Sequence, residues 1–183
     1  MKSKKISKKK SRSQTNKKSK SKKRSIPKKY APDRLSPKDK KKQIRALRRS
    51  RRAYKKGKYI SRPKVKSFKS KKSSHILNAK QIYKVDKIRP SKELAKKTGC
   101  SIKALSKIVA KGKGAYFSGG SRPNQTAASW GYARLASTIT GGKAAAVDFS
   151  ILEEGCSKNS KALRLAKQSR KKHGKGTRNV PKI

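Results

Sequence analysis

The residues between 114 and 143 differ most from the rest of this lysine-dominated chain, and they limit where a folded core can form. They contain the only Trp and six of the twelve glycines. An aromatic run, GAYF, leads into a glycine turn, SGGSRPNQT, and a helical pattern then runs to a second glycine turn, TGGK. We therefore predict a folded nucleus here, with basic arms around it.

Positive charge restricts folding in the rest of the chain. Lys and Arg number 58 against seven Asp and Glu, the net charge is +51, and only 31% of the residues are hydrophobic. Such a chain has too little apolar surface to offset the entropy of ordering most of its backbone. Residues 1–35 are a Lys/Ser-rich arm that we predict to be disordered on its own. The charge favours an anionic partner over a solvated tail with none, and nucleic acid fits better than a membrane because the basic runs lack interleaved Leu, Phe or Trp.

Several kinds of site have no signature in this sequence. Cys100 and Cys156 are not in CxxC spacing and the two histidines lie far apart, so we predict no metal site and no cofactor. We expect both cysteines to be small core or edge thiols in a reducing compartment. No apolar run approaches the roughly 20 residues that cross a bilayer, and the N-terminus lacks the apolar block of a signal peptide. The acids are scattered, and the adjacent pair Glu153 and Glu154 would not face each other on a helix, so we expect no catalysis.

A basic helix is predicted over residues 36–57. Ser36 is a suitable N-cap, Pro37 suits the first helical position, and Gly57 ends the helix. Its apolar stripe is narrow, so the helix either packs that stripe on the core or forms only against an anionic partner. The stripe consists of Ile44, Leu47, Arg51 and Tyr54. Residues 58–74 follow as a basic linker.

Residues 91–108 have the spacing of a helix-turn-helix. Ser91 and Ser101 are placed to cap the two helices, and Gly99 is placed to form the turn between them. The exposed face of the second helix offers Lys and Ser rather than the Arg, Asn or Gln of a base reader. Three interpretations stay open: a unit that contacts phosphates, a sequence-specific reader, and a purely structural pair. Gly112 is predicted to end the second helix.

The aromatic run and the glycine turn after it allow more than one structure. Tyr116 and Phe117 are predicted to lie in extended backbone and to point to opposite sides. The SGGS turn is either a tight turn required by packing, or a nest of backbone N–H groups that holds a phosphate beside Arg122. Thr126, or Asn124 before it, is expected to cap the next helix.

These patterns together predict a mainly α protein. A compact helical domain that contains the helix-turn-helix-like pair covers residues 75–156, and residues 157–183 form a basic C-terminal helix and tail. Long basic arms, extended or disordered, flank the domain.

The segment 91–156 resembles a small uncharacterised domain found in large DNA viruses of algae of the chlorella-virus type, in their giant-virus relatives and in some cyanophages. The resemblance rests on SGGSRPNQT, SWGYARLAS and TGGKAAAVDFSILEEGC. Residues 39–59 and 71–85 are also similar to the algal-virus members. The resemblance implies a viral origin and, with the charge, a component of the virion; it implies no catalytic role.

The leading hypothesis is a non-enzymatic virion protein that binds and neutralises packaged double-stranded DNA without sequence preference. One alternative is a minor capsid protein that staples capsomers on the inner capsid face, with basic tails toward the genome or an internal membrane. Another is a ribosomal or RNA-packing protein. We expect the chain inside the virion or on the inner capsid face, and in the host cytoplasm or nucleus before assembly. The candidate nucleic-acid contacts are Lys8, Lys9, Lys10, Lys22, Lys23, Arg24, Arg48, Arg49, Arg51, Arg52, Lys103, Lys107, Arg122, Arg134 and Lys143.

Overall fold

Helices form most of the structure, which is a computed structural model that describes residues 25–176. Within that range there are eight α-helices, one short 3-10 turn and no β-strand, so the prediction of a mainly α protein is confirmed. The helices are α1 (Pro37–Lys55), α2 (Ser74–Tyr83), α3 (Lys92–Thr98), α4 (Ile102–Phe117), α5 (Ala127–Ile139), α6 (Lys143–Val147), α7 (Phe149–Gly155) and α8 (Lys161–His173).

The centre of the fold is the contact between α4 and α5. Gly112 of α4 faces Gly131 of α5, and a Cβ on Gly112 would lie 2.6 Å from the Cα of Gly131. Only glycine allows two backbones to approach so closely. Around this contact the main core is built from the other helices, and its largest fully buried side chains are Leu94, Leu105, Ile108, Leu135, Ile139 and Leu152.

Gly112 does not end α4, as the sequence had suggested. The helix continues to Phe117, so Tyr116 and Phe117 are helical rather than extended, and both predictions were wrong. The physical reason is the contact with α5, which requires a glycine inside the helix. Tyr116 lies one turn further along the same face and is buried, which stabilises the continued helix.

The predicted helix caps are confirmed. Ser36, Ser91 and Ser101 each accept a backbone N–H from three residues ahead, at 3.2–3.3 Å. Thr126 caps α5 through a reciprocal capping box with Ser129. The alternative cap, Asn124, has a left-handed backbone with φ of 56° and a different role.

Helix α1 agrees closely with the basic helix predicted over residues 36–57, but its buried face is more polar than expected. Only Leu47 of the predicted stripe is fully buried, and the neighbours that share its buried face are Gln43 and Ser50. The Ser50 hydroxyl donates to the Phe117 carbonyl at 2.7 Å. Of the two open interpretations, the structure shows the helix packed on the domain.

The predicted basic linker also lies against the domain. We call residues 58–73 the strap. Val65 and Phe68 are buried and form a small second apolar cluster with Leu35. Ile26 is buried too, so the end of the predicted arm contributes to the packed structure. Residues 1–24 of that arm lie outside the described residues.

The helical core continues beyond residue 156. Helix α8 packs on α6 and α7, and its residues Ala162, Leu163 and Ala166 belong to the main core. Their spacing, 1 and then 3, places them on one side of a helix whose other side is basic. Residues 177–183 of the predicted tail are outside the described residues.

Cys100 and Cys156 form a disulfide, so the expectation of two free thiols was wrong. The backbones pair on either side of it, since the Ser101 N–H donates to the Gly155 carbonyl at 2.7 Å and the Ser157 N–H to the Gly99 carbonyl at 2.8 Å. The fold thus brings the turn after α3 to the end of α7, although 56 residues separate the two cysteines. Spacing in the sequence gives no sign of such a contact.

Candidate nucleic-acid interface

Helix α1 carries a row of exposed arginines. Arg45, Arg48, Arg49 and Arg52 are separated by 3, 1 and 3 residues, so they lie on one face of the helix. All four are exposed, and none forms an ion pair within residues 25–176. We call them the arginine row. It includes three of the predicted contacts and adds Arg45.

Arg51 differs from the arginine row. It is half-buried and lines a cleft of about 590 Å³ between α1, the start of the described chain and the glycine turn. Tyr54, Lys55 and Gly119 line the same cleft. Of the predicted contacts on α1, Arg51 therefore points away from the open face.

The acids near α1 are engaged within the protein. Asp39 accepts hydrogen bonds from the backbone N–H of Ser67 at 2.8 Å and from its hydroxyl at 2.7 Å, and these bonds lower the pKa of Asp39. Asp33 is paired with Lys40 at 2.5 Å. No acid occurs between Asp39 and Asp86 in the sequence. The arginine row therefore belongs to a stretch of chain with positive potential.

Arg62 is the cation that the strap turns inward. One guanidinium nitrogen donates to the Tyr116 carbonyl at 2.6 Å and to the Ser50 hydroxyl at 3.2 Å, and the other donates to the Ser121 hydroxyl. The guanidinium also lies 3.8 Å from the centre of the Tyr116 ring. Burial lowers the pKa of Arg62, but an arginine keeps its charge. These bonds fix the strap to the end of α4.

Asn124 holds the strap at a second point. Its side chain bonds to both the N–H and the carbonyl of Val65, and it donates to the Phe68 carbonyl at 2.8 Å. Asn is among the few residues that adopt the left-handed backbone found here at modest cost. Sequence reasoning missed the roles of Arg62 and Asn124 in holding the strap. The local sign that the strap packs on the domain was the pair of apolar residues Val65 and Phe68 in a basic stretch.

The SGGS turn is a packing turn, and its N–H groups are already used. Those of Ser118, Gly119 and Gly120 donate to carbonyls in the last turn of α4 at 2.8–3.0 Å. Gly119 has φ of 79°, and a Cβ there would lie 2.7 Å from the Leu47 carbonyl oxygen. The phosphate-nest interpretation is therefore not supported. Arg122 is exposed beside the turn.

The predicted helix-turn-helix-like pair is present as α3 and α4. Helix α4 is the central helix of the core, and its outer face carries Lys103 and Lys107. Lys107 lies 3.6 Å from Glu154, and both side chains are more than half exposed. Such a pair contributes little to stability and leaves the lysine accessible to other anions.

Arg134 is not part of an open basic surface. It forms two hydrogen bonds of 2.7 Å with the fully buried carboxylate of Asp148, which also lies 2.7 Å from Lys111. Burial alone would raise the pKa of Asp148, but the hydrogen bonds and charges of Arg134 and Lys111 outweigh burial and lower it. The prediction that Arg134 contacts nucleic acid is therefore not supported, because its guanidinium is engaged with Asp148. The sequence could not show that the turn after α5 brings Asp148 back beside it.

The other predicted contacts are scattered or not described. Lys143 is exposed at the start of α6. The candidates in the arm, Lys8, Lys9, Lys10, Lys22, Lys23 and Arg24, lie outside the described residues. Among the described residues, the arginine row is thus the largest group of candidates on one face of a single helix.

His, Cys, Asp and Glu side chains between residues 25 and 176 make no group of three or more that could hold a metal ion. Among the helices of the same range, none combines the length and the apolar character needed to span a membrane.

Comparison with known proteins gives one match. No curated protein and no solved structure matches the chain significantly. A family model described as a family of unknown function, DUF5824, matches residues 27–161. That range begins where the described chain starts to pack and ends at the first residue of α8. Because the match covers most of its length, the chain belongs to this family of unknown function, DUF5824.

Proposed function

We propose that this protein binds double-stranded DNA without sequence preference and neutralises it, through phosphate contacts and without catalysis. The observation that carries the proposal is the arginine row, whose four members are exposed on one face of α1. Leu47, Gln43 and Ser50 pack the opposite face of α1 on the rest of the chain. The row is therefore held in place before any partner binds.

The spacing of the arginine row suits a phosphate backbone. Arg45 and Arg52 lie seven residues apart, which is about 10 Å along a helix. Duplex DNA carries one charge per roughly 1.7 Å of its axis, so about six phosphate charges lie within that length. Four arginines offer several favourable contacts to such an array, and guanidinium groups bind phosphate oxygens through paired donors.

The same surface favours contact without sequence preference. Base readers combine Arg with Asn or Gln at defined positions, whereas the exposed face of α1 is almost entirely cationic. Phosphate contacts position a protein on DNA and carry no sequence information directly. Equivalent contacts can therefore form on any duplex.

We place this activity inside the virion of a large DNA virus, as a proposal that rests on the resemblance of residues 91–156 and on the net charge. Packaged DNA needs neutralisation, and a chain with a charge of +51 provides it. The lysines of residues 1–24 would add contacts to those of the domain.

Salt dependence tests the proposal. Binding of the full chain to two duplexes of unrelated sequence is measured by fluorescence anisotropy between about 50 and 200 mM salt. If roughly six to ten phosphates are contacted, affinity falls by about three to five decades over that range and is the same for both duplexes. An affinity that does not change with salt concentration, or that is more than about tenfold higher for one duplex, overturns the proposal.

A further inference from the structure

Three aromatic rings form a cluster at the surface beside the end of α1. Tyr59 lies 5.9 Å from Tyr54 and 5.1 Å from Phe117, measured between ring centres. The exposed fractions are 66% for Tyr59 and 38% for Tyr54, and Phe117 is half-buried. We call these three residues the aromatic platform. Large rings are usually more deeply buried than this, so the platform is not explained by the core.

Buried contacts next to the platform fix its position. Arg62 lies three residues after Tyr59, and its backbone N–H donates to the Tyr116 hydroxyl at 3.1 Å. The Tyr116 ring is itself buried and lies 5.2 Å from that of Phe117. Tyr59 thus lies beside a buried anchor. Its ring contacts those of Tyr54 and Phe117, and 66% of the residue is exposed.

The surroundings of the platform are basic. Lys55, Lys56 and Lys58 are exposed in the same turn of chain. The platform comes from two stretches without any acid, between Asp39 and Asp86 and between Glu93 and Asp148. An anionic partner that also offers flat apolar faces would match both the charge and the rings.

A cleft continues from the platform. Tyr54 and Lys55 line the cleft of about 590 Å³ beside the glycine turn. This volume is within the range of about 300–1,000 Å³ that is typical of ligand pockets. One member of the platform, Tyr54, therefore borders a concave surface, and Tyr59 and Phe117 lie outside the cleft.

We propose that the aromatic platform stacks unpaired bases, so that the protein binds single-stranded DNA as well as duplex. A base lies against the exposed part of the Tyr59 ring, and Lys55 and Lys58 contact the phosphates on either side. In a duplex the faces of the bases are covered by their neighbours, whereas in a single strand they are accessible to aromatic side chains. This inference rests on the proposed DNA binding only for the phosphate contacts of Lys55 and Lys58. The stacking on Tyr59 does not depend on it.

The test compares substitutions of Tyr59 in the full chain. Binding to a 12-mer of oligothymidine and to a duplex is measured by anisotropy at roughly 0.3 M salt, where phosphate contacts are weakened. Tyr59→Ala is expected to weaken oligothymidine binding by about fivefold to 150-fold, the range for one stacked base, and to change duplex binding by less than about twofold. Tyr59→Phe keeps the ring and should bind like the original chain.

Leu77→Ala is the matched control, because Leu77 is an exposed apolar residue of α2 outside the platform. It should leave both affinities unchanged. Equal loss of duplex and oligothymidine binding in Tyr59→Ala, or no loss of either, overturns the inference. If duplex fails to bind even at about 50 mM salt, where phosphate contacts are strong, while oligothymidine binding still depends on Tyr59, the proposed duplex function is wrong and the stacking on Tyr59 stands.

Discussion

The side chain of Asn124 binds the backbone of Val65 from both sides. Its Oδ1 accepts the Val65 N–H at 2.8 Å, and its Nδ2 donates to the Val65 carbonyl at 2.9 Å. An amide held in this way reproduces the hydrogen bonds of a neighbouring strand. The strap is therefore part of the fold, and it connects α1, through Asp39 and Ser50, to the helical core.

Replacing Asn124 should release the strap. Asn124→Gly keeps the left-handed backbone but removes three side-chain hydrogen bonds, so we expect a loss of about 2 kcal/mol in the free energy of unfolding. Tryptic cleavage after Lys64 and Lys66, followed by mass spectrometry, should become faster. Asn159→Gly is the control, since Asn159 is exposed and has no side-chain hydrogen bond within the described range. An unchanged rate of cleavage in Asn124→Gly would contradict the role of Asn124 in holding the strap.

Two glycines of α4 should respond oppositely to the same substitution. Gly112→Ala forces a Cβ to within 2.6 Å of the α5 backbone, so we expect a loss of about 1–3 kcal/mol. Gly114→Ala places its Cβ 3.5 Å from the Tyr54 hydroxyl, an ordinary contact, and should stabilise the helix by up to about 1 kcal/mol. Urea unfolding of both variants measures the difference. Equal effects would mean that α4 and α5 do not meet at Gly112.

The buried carboxylate of Asp148 should matter far more than an exposed one. Asp148→Ala leaves Arg134 and Lys111 without their partner, and we expect a loss of about 3 kcal/mol at neutral pH. Glu154→Ala removes the exposed pair with Lys107 and should change stability by less than about 0.5 kcal/mol. Chemical denaturation of each variant gives these values, and similar losses in the two would contradict the assignment.

The contribution of Asp148 should also depend on pH in one direction. Its pKa is lower in the folded chain than in the unfolded chain, where an aspartate titrates near about 3.9. The stabilisation is therefore complete above that value and is lost as the pH falls through the lower folded pKa. The difference between the original chain and Asp148→Ala should accordingly shrink below about pH 4.

Local features of the sequence predicted local features of the fold. The caps at Ser36, Ser91 and Ser101 depend on groups three residues away, so the sequence contains all the information needed. Gly112 was misread because its role depends on Gly131 in another helix. A glycine pattern alone does not separate a helix end from a close contact between helices.

The part of the candidate interface that depends on nearby residues could be predicted from the sequence. The arginine row follows from helical spacing within α1, and the sequence shows it directly. Arg62 and Asn124 were missed because most of their partners lie 54 to 59 residues away. The pairing of Arg134 with Asp148 was missed because it requires the turn after α5. Charge alone does not show which cations face inward.

The central claim is that the arginine row contacts the phosphates of duplex DNA. A matched control exists on α3, whose exposed residues Lys92, Lys96 and Lys97 carry three positive charges. Helix α3 joins the start of α4, whereas α1 contacts the end of α4 through Phe117, and α4 is about 24 Å long. The two groups of cations therefore lie at opposite ends of this helix.

The most direct measurement is the salt dependence of duplex binding by two variants of the full chain. One variant combines Arg48→Gln, Arg49→Gln and Arg52→Gln, and the other combines Lys92→Gln, Lys96→Gln and Lys97→Gln. We predict that the slope of log affinity against log salt becomes shallower by about 2.7 in the α1 variant, from roughly 0.9 per contact, and by less than about 1 in the α3 variant. Equal slopes in the two variants would contradict the claim, because DNA binding would then follow net charge rather than the arginine row.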